Sequence, residues 1–409
     1  MAIDNKDKKV LNVPPLRFPE FSGEWEEHTL SEYLEFKNGL NPDAKRIGQG
    51  LPFISVMDIL AEGVITYNSI RGKVEATDKE IDCFGVKNGD LLFQRSSETL
   101  EDVGRANVYM DSRTAVYGGF VIRGRKIGNY VPLFFKYLLA TPLARKKTCR
   151  MGAGAQHFNI GQEGLSKISL SFPSVKEQEK IANLLSLIDE RIATQNKIIE
   201  DLKKLKSAII EKTFNENYSN KIRLRDVGSY IRGLTYSSDD VVESNGIFVM
   251  RSNNIINGSS LDYHNNIVSV NKQILTEQQL QTGDIVICMA NGSSSLVGKS
   301  SFYDGDCSTP ITVGAFCGIY RSKEPIVKWL FQTNKYRRYI WNSLQGGNGA
   351  IANLNGDDIL RMSFSIPATP AKDNRIKLLT SVDTLLESNI SLCDLYISQK
   401  LYLLRQMFI

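Results

Sequence analysis

Few residues of this chain have the types and spacing that catalysis or nucleotide binding needs. The segment 292–300 ends in Gly298-Lys299-Ser300 like a phosphate-binding loop, but one residue too many separates its two glycines. The leader resembles the Asn-Pro-Pro-aromatic tetrad of adenine methyltransferases, yet Val13 interrupts the tetrad and Leu16 replaces its aromatic residue. We therefore predict that this chain is not an enzyme.

The sequence predicts neither a metal site nor a disulfide framework. The six cysteines form no Cys-x-x-Cys pair, and only three histidines could assist them. Zinc sites need clustered ligands, and disulfide frameworks belong to small secreted domains. The sequence also contains no apolar run near the ~18 residues of a membrane helix. We expect a cytoplasmic protein with reduced cysteines, no metal and no cofactor of its own.

Arginine, lysine and asparagine side chains on glycine-rich segments are the groups suited to contacting DNA. Cations contact phosphates, and Arg, Lys and Asn side chains can hydrogen-bond to base edges in the major groove. The candidates are Arg71, Arg95, Arg105, Arg123, Arg125, Lys126, Arg145, Lys146, Lys147 and Arg150 in the first half, and Arg251, Asn253, Asn254, Asn291, Lys299, Arg321, Lys335, Arg337 and Arg338 in the second. The net charge of +5 permits DNA binding but does not establish it.

The elements that must position these residues occur twice in the chain. A shift of 194 positions aligns features along nearly its whole length. Gly89-Asp90 falls on Gly283-Asp284, and Val103-Gly104-Arg105 falls on Val297-Gly298-Lys299. Matches this dispersed at one offset predict a tandem duplication of a domain, because the units of solenoid repeats are much shorter.

Each copy begins with a globular part of mixed structure. Short apolar stretches such as 90–94 and 284–288, bounded by turn residues, predict strands. Apolar residues recur at helical spacing in 131–148 and 326–344, which predicts a helical insert in each copy. The predicted fold class is therefore α+β.

A long helix with an apolar seam follows each globular part. Apolar residues at three-four spacing are typical of a coiled coil. The seam residues are Ile181, Leu185, Ile188, Ile192, Ile199, Leu202 and Ile209 in the first helix, and Leu379, Val382, Leu386, Leu392, Tyr396 and Leu403 in the second. We expect the two helices to form an antiparallel coiled coil that separates two tandem globular domains.

The chain resembles the specificity (S) subunit of type I restriction-modification systems. The resemblance rests on the leader 13–25, the Gly-Asp strand starts, the segment 173–179 before the first long helix, and the head-helix-head-helix order. The segment 370–375 departs from it, because it lacks the Glu-Gln-Glu of the first copy. The predicted segments are an N-terminal leader at 1–21, target-recognition domain 1 at 22–173, a central spacer helix at 174–215, target-recognition domain 2 at 216–367 and a C-terminal spacer helix at 368–409.

The resemblance implies a non-catalytic chain in which each target-recognition domain reads one half of an asymmetric, bipartite sequence in double-stranded DNA. It also implies assembly with two modification subunits that methylate adenine and two restriction subunits that translocate and cut DNA. S-adenosylmethionine, ATP and Mg²⁺ are then expected on those partners. Two alternatives stay open at this point: a stand-alone tandem-domain DNA-binding regulator, and a partner-binding scaffold with no DNA role.

Overall fold

The computed structural model describes residues 12–154, 157–214, 218–305, 307–344 and 352–409. The chain divides into two compact units, Met1–Asn196 with Ser391–Ile409, and Lys197–Ile390. Because the division passes through both long helices, each unit combines one globular head with one segment of each helix. Among the described residues, no helix is both long enough and apolar enough to cross a membrane.

Head 1 (residues 26–172) is the globular part of the first unit. Its strands are β1 (Glu26–Thr29), β2 (Leu34–Asn38), β3 (Ile47–Ile54), β4 (Lys73–Val74), β5 (Leu91–Gln94), β6 (Ser96–Ser97), β7 (Ala106–Val108), β8 (Val116–Tyr117), β9 (Val121–Lys126), β10 (Phe158–Asn159) and β11 (Ser169–Phe172). Its helices are α1 (Val56–Leu60), α2 (Asp78–Phe84), α3 (Pro132–Ala140), α4 (Pro142–Arg150) and α5 (Gln162–Ser166), and α6 (Val175–Phe214) follows the head.

Head 2 (residues 221–365) is the globular part of the second unit. Its strands are β12 (Lys221–Arg223), β13 (Gly228–Arg232), β14 (Val241–Val242), β15 (Ile247–Met250), β16 (Val268–Val270), β17 (Ile285–Cys288), β18 (Ala290–Asn291), β19 (Ser300–Phe302), β20 (Ile311–Val313), β21 (Cys317–Ser322), β22 (Ala352–Asn353) and β23 (Ser363–Ser365). Its helices are α7 (Leu224–Val227), α8 (Val327–Leu330), α9 (Asn334–Leu344) and α10 (Gly356–Leu360), and α11 (Thr369–Gln406) follows the head.

The two heads share the topology of their main sheet, whereas the second sheet has three strands in head 1 and four in head 2. In head 1 an antiparallel sheet has the order β2-β9-β5-β7, and in head 2 the corresponding order is β13-β21-β17-β19. A second sheet in each head contains a parallel pair, β3 with β8 and β15 with β20. A short ladder joins β6 to β10 and β18 to β22. The duplication seen in the sequence is therefore a duplication of the fold.

The Gly-Asp dipeptide forms the same turn in both heads. Gly89 and Gly283 have φ angles of 89° and 90°, a left-handed conformation that favours glycine. The aspartate that follows the glycine closes the turn with its carboxylate. Asp90 accepts a hydrogen bond from Lys87 N at 2.9 Å, and Asp284 accepts one from Gln281 N at 2.7 Å. This turn fixes the start of the central strand, β5 or β17.

The long helices run antiparallel within the first unit. Asp189 of α6 pairs with Lys400 of α11 at 2.6 Å, and Cys393 of α11 donates to the side chain of Asn196 at 3.4 Å. The residue numbers rise along one helix as they fall along the other. In the second unit, Lys206 of α6 pairs with Asp383 of α11 at 2.5 Å. The predicted α+β fold with two tandem heads and an antiparallel helix pair is confirmed.

The predicted seam follows the buried face of the helices at most positions. Buried seam residues are Ile181, Leu185, Ile188, Ile199, Leu379, Val382, Leu386 and Leu403, and half-buried ones are Ile192, Leu202, Ile209 and Tyr396. The prediction was wrong at Leu392, whose side chain is 38% exposed. Cys393 is buried in its place because it lies one heptad after Leu386.

Candidate nucleic-acid interface

Two of the basic candidates belong to the framework of the heads. Arg321 holds Asp284 through two hydrogen bonds, Nε to Oδ1 at 2.8 Å and Nη2 to Oδ2 at 2.7 Å, and this bonding raises the pKa of Arg321. Arg125 occupies the equivalent position in head 1, 3.5 Å from Asp90. Burial raises the pKa of Asp90. Both arginines therefore neutralise the buried carboxylate of the Gly-Asp turn.

Three further candidates also form hydrogen bonds within their own head. The side chain of Asn254 is fully buried and donates to two backbone carbonyls at 3.0 and 2.8 Å. Arg123 is 3% exposed and donates to the carbonyl of Gly85 at 2.8 Å. Arg145 donates to the carbonyls of Glu101 and Val103, and burial lowers its pKa. The prediction that these side chains contact DNA was wrong for Asn254 and Arg123, because a buried side chain cannot reach a duplex.

The other candidates lie at the surface to different degrees. The exposed ones are Arg71, Arg105, Lys126, Lys146, Arg150, Arg251, Asn253, Arg337 and Arg338, and the half-exposed ones are Arg95, Lys147, Asn291, Lys299 and Lys335. Some also bond within their head: Arg105 pairs with Asp102 at 2.6 Å, and Lys147 donates to the carbonyl of Ser169 at 2.7 Å. Lys299 and Arg337 line one cleft of ≈370 Å³ beside α9.

Head 2 gathers base-reading residue types at one end of its parallel strand pair. β15 leads into Arg251 and Asn253, and β20 leads into the turn that carries Phe316. Asn291 joins them, because its amide donates to the hydroxyl of Ser252 at 3.4 Å. The carbonyl of Phe316 accepts from Ala290 N, next to Asn291, at 3.1 Å. We call Arg251, Asn253, Asn291 and Phe316 surface 2.

Head 1 has the equivalent surface with different side chains. β3 leads into Met57, which is 75% exposed, and β8 leads into the turn that carries Phe120, which is 70% exposed. The carbonyl of Phe120 accepts from Arg95 N at 2.9 Å, and Ser97 lies on the adjoining strand β6. We call Met57, Arg95, Ser97 and Phe120 surface 1.

The helix caps and short ladders establish which positions of the two surfaces correspond. The side chain of Asp58 accepts a hydrogen bond from Ser55 N, and the side chain of Asn254 accepts the equivalent bond from Arg251 N. Met57, one residue before Asp58, therefore corresponds to Asn253, one residue before Asn254. The strand pair β6 with β10 in head 1 is equivalent to β18 with β22 in head 2, and in this equivalence Ser97 corresponds to Asn291. Sequence reasoning missed Met57, Ser97, Phe120 and Phe316. A comparison of the two copies would have revealed the phenylalanines, which follow Gly118-Gly119 and Gly314-Ala315.

Metal chemistry has no support in the described ranges. Across residues 12–154, 157–214, 218–305, 307–344 and 352–409, no three His, Cys, Asp or Glu side chains converge as metal ligands would. What these surfaces offer instead is hydrogen-bond donors and acceptors beside an apolar ring. Such a set suits the edges and faces of bases in a DNA groove.

Comparisons with known proteins agree with one another. Residues 22–204 match the family described as Type I restriction modification DNA specificity domain. The chain is 34% identical to the type I restriction enzyme EcoKI specificity subunit of Escherichia coli (strain K12) over 188 residues, 44% of this chain and 40% of that protein. It is 34% identical to the StySPI specificity subunit of Salmonella potsdam over 301 residues, 68% of this chain and 64% of that protein. The chain thus spans roughly half the length of the curated relatives it matches.

Solved structures extend the likeness to the whole fold. The crystal structure of a type I restriction-modification S subunit from M. genitalium matches with a TM-score of 0.59 and 14% identity, over 97% of this chain and 99% of that one. A chain from a structure of type I R-M complex assembly and conformational transition matches with a TM-score of 0.52 and 13% identity, over 96% and 99%. Residues 22–204 therefore match the family of type I restriction-modification DNA specificity domains, and the solved structures show the same fold over nearly the whole chain.

Proposed function

We propose that this chain is the DNA sequence-recognition subunit of a type I restriction-modification complex, and that each head reads one half of a bipartite, asymmetric target. The observation that carries the proposal is the pair of equivalent surfaces on one duplicated framework. Their positions correspond, but Asn253 and Asn291 in head 2 stand where head 1 has Met57 and Ser97. Different side chains at equivalent positions suit the reading of two different half-sequences.

Catalysis belongs to partner subunits in this proposal. The relatives are named as specificity subunits of restriction enzymes, and no catalytic motif was found in the sequence. Two modification subunits would bind S-adenosylmethionine and methylate adenine, and two restriction subunits would use ATP and Mg²⁺. The chain itself would bind none of these cofactors.

Exposed leucines on the long helices support the existence of protein partners. In the first unit Leu187 is 57% exposed and Leu395 is 66% exposed. In the second unit Leu205 and Leu385 are 49% and 51% exposed. Large apolar residues repeated on the outer faces of helices are costly in water and favour burial by another protein.

The decisive experiment maps the methylated sites of the assembled complex. The chain is co-expressed with its cognate modification subunit, and methylated adenines are located genome-wide. We expect one bipartite target for the wild type. The variant N253A/N291A should change base preference in one half of that target only, because both residues belong to head 2.

A matched control separates base reading from a loss of folding. Arg361→Ala removes an exposed cation of head 2 outside surface 2 and should leave the target unchanged. The chain purified alone should neither cut nor methylate DNA. A wild-type complex that shows no sequence preference would contradict the proposal, and so would preference changes in both halves from the head 2 variant. Tight site-specific binding without partners would instead favour the stand-alone regulator.

A further inference from the structure

Two phenylalanine rings protrude at equivalent positions of the two heads. Phe120 is 70% exposed and Phe316 is 66% exposed. Each follows the last strand of the parallel pair, β8 or β20, and precedes β9 or β21. A single exposed apolar residue needs no explanation. The same exposed ring in both copies does, because the neighbouring positions have diverged between the copies.

Both rings stand on turns that the framework holds at several points. In head 1 the turn is closed by Val121 N donating to the Gly118 carbonyl at 2.9 Å, and Gly118 N donates to the Ile54 carbonyl at 3.0 Å. In head 2 the corresponding bonds join Cys317 to Gly314 at 2.8 Å and Gly314 to Met250 at 2.9 Å.

The carbonyl of the phenylalanine itself is also used in both heads. Phe120 O accepts from Arg95 N at 2.9 Å, and Phe316 O accepts from Met289 N at 2.8 Å. A ring on a backbone this constrained loses little further conformational freedom when it is buried by a ligand.

The chemistry around Phe316 favours DNA over a protein as the ligand. The other members of surface 2 are Arg251, Asn253 and Asn291, which are side chains that hydrogen-bond to base edges. An apolar ring among such donors is typical of groove contacts, where apolar side chains touch thymine methyl groups or insert between base steps. A protein-docking site would be expected to surround the ring with other apolar residues.

We propose that Phe120 and Phe316 are equivalent base-contacting residues, each placing its ring against the bases of one half of the DNA target. The inference rests on the proposed function and goes beyond it, because it assigns one recognition contact that both heads share. The polar neighbours then distinguish the two half-sequences, and the rings supply a common apolar contact.

The test measures binding of the assembled complex with its modification subunits to a duplex that carries the target mapped for the wild type. Fluorescence anisotropy is recorded over a series of salt concentrations. Phe316→Ala should weaken binding about tenfold, the size of the loss that one mismatched base pair causes. The slope of affinity against salt should stay unchanged, because the ring neutralises no phosphate.

Controls of matched exposure show whether the position matters. Leu275 in head 2 is 62% exposed and Ile127 in head 1 is 59% exposed. Their alanine variants should bind within about twofold of wild type, a difference well below 1 kcal/mol. Phe316→Ala should make binding insensitive to base changes next to its ring in one half of the target, and Phe120→Ala should do so in the other half.

Two DNA probes identify the kind of contact. Replacing thymine by uracil removes the methyl group and should weaken wild-type binding if the ring touches it. A 2-aminopurine at the contacted step should brighten in the wild type if the ring unstacks it. Both responses should be lost in the alanine variant.

Three results would overturn the inference. If Phe120→Ala and Phe316→Ala both bind the target with wild-type affinity, the inference is wrong and the proposed function still stands. If Phe316→Ala assembles more weakly with the modification subunit, while the complex that does form binds DNA with normal affinity, the ring belongs to a protein contact. Absence of sequence-dependent binding by the wild-type complex would remove the proposed function and this inference together.

Discussion

Asp383 of α11 is the counter-ion of two lysines in the second unit. Lys206 Nζ lies 2.5 Å from its Oδ1, and Lys328 Nζ lies 2.7 Å from its Oδ2. The side chain of Lys206 is only 7% exposed, and burial lowers its pKa. Replacement of Asp383 by alanine therefore leaves a buried ammonium group that faces a second one without a compensating charge.

The expected loss can be bounded from the same contacts. Breaking a buried ion pair by removing one partner costs about 3–5 kcal/mol. We expect the lower end, about 3 kcal/mol, because Lys328 is 29% exposed and can turn towards water. Adding Lys206→Met to Asp383→Ala removes the buried charge and should recover about 2 kcal/mol, because apolar replacements of buried pairs are often neutral.

Trp329 offers a local probe for this measurement. It is 1% exposed, and the Nζ atoms of Lys206 and Lys328 lie 5.5 and 4.9 Å from its ring centre. In a chain with Trp25→Phe and Trp341→Phe, its fluorescence reports the unfolding of the second unit in urea. The free energy of unfolding follows from the midpoint and slope.

The control is a carboxylate on a long helix that makes only a surface contact. Asp201 of α6 is 63% exposed and lies 3.9 Å from Lys204. Asp201→Ala should change the free energy of unfolding by less than about 0.5 kcal/mol. A loss below about 1 kcal/mol for Asp383→Ala, or no recovery in the double variant, would refute the reasoning.

Three further predictions concern other charged groups. Arg321→Ala should destabilise head 2 by about 2 kcal/mol in urea, because it leaves the buried Asp284 carboxylate without its counter-ion; an unchanged midpoint would contradict the framework role. Burial lowers the pKa of Lys136 to about 8 from 10.5. Between these two pH values the unfolded chain keeps the lysine proton and the folded chain loses it, so the melting temperature of the first unit should rise as the pH rises from about 8 to 10.5. That gain should be absent in Lys136→Met. The Arg46 guanidinium lowers the pKa of Glu80 to about 2 from 4.5. The ion pair between them therefore stabilises the fold fully above pH 4.5, and this stabilisation is lost as the pH falls from 4.5 to about 2. Glu80→Gln should therefore show a smaller loss of melting temperature on acidification, and an identical loss would disprove the assignment.

The repeat made the framework of the heads predictable from sequence. Turns and buried strands depend on backbone conformation and local apolar pattern, and both survive duplication as matching residues. The dipeptides at Gly89 and Gly283 were found in this way, and each proves to begin the central strand of its head. The helical inserts expected at 131–148 and 326–344 are present as α3 with α4 and α8 with α9.

The roles of individual charged residues were not predictable from sequence. Arg321 and Arg251 are both arginines in the second copy, and only the fold shows that one holds a buried carboxylate while the other is exposed. Lys206 is a lysine at a heptad position after Ile199, and its buried partner lies on the other helix. Partners this distant in sequence are set by the fold, and a single sequence carries no record of them.

The duplication also explains why the candidate interface can be located without a bound ligand. Each head acts as a control for the other: positions that the fold requires keep their residue type in both copies, as Asp90 and Asp284 do with their arginines. At the ends of the parallel strand pairs the residue types differ, Met57 against Asn253, although their backbone positions correspond. The fold does not need a particular residue there, so these positions are free to differ with what each surface contacts. Under the proposed function, two chemically different surfaces on one chain lead directly to a target whose halves differ, because identical surfaces would favour a symmetric one.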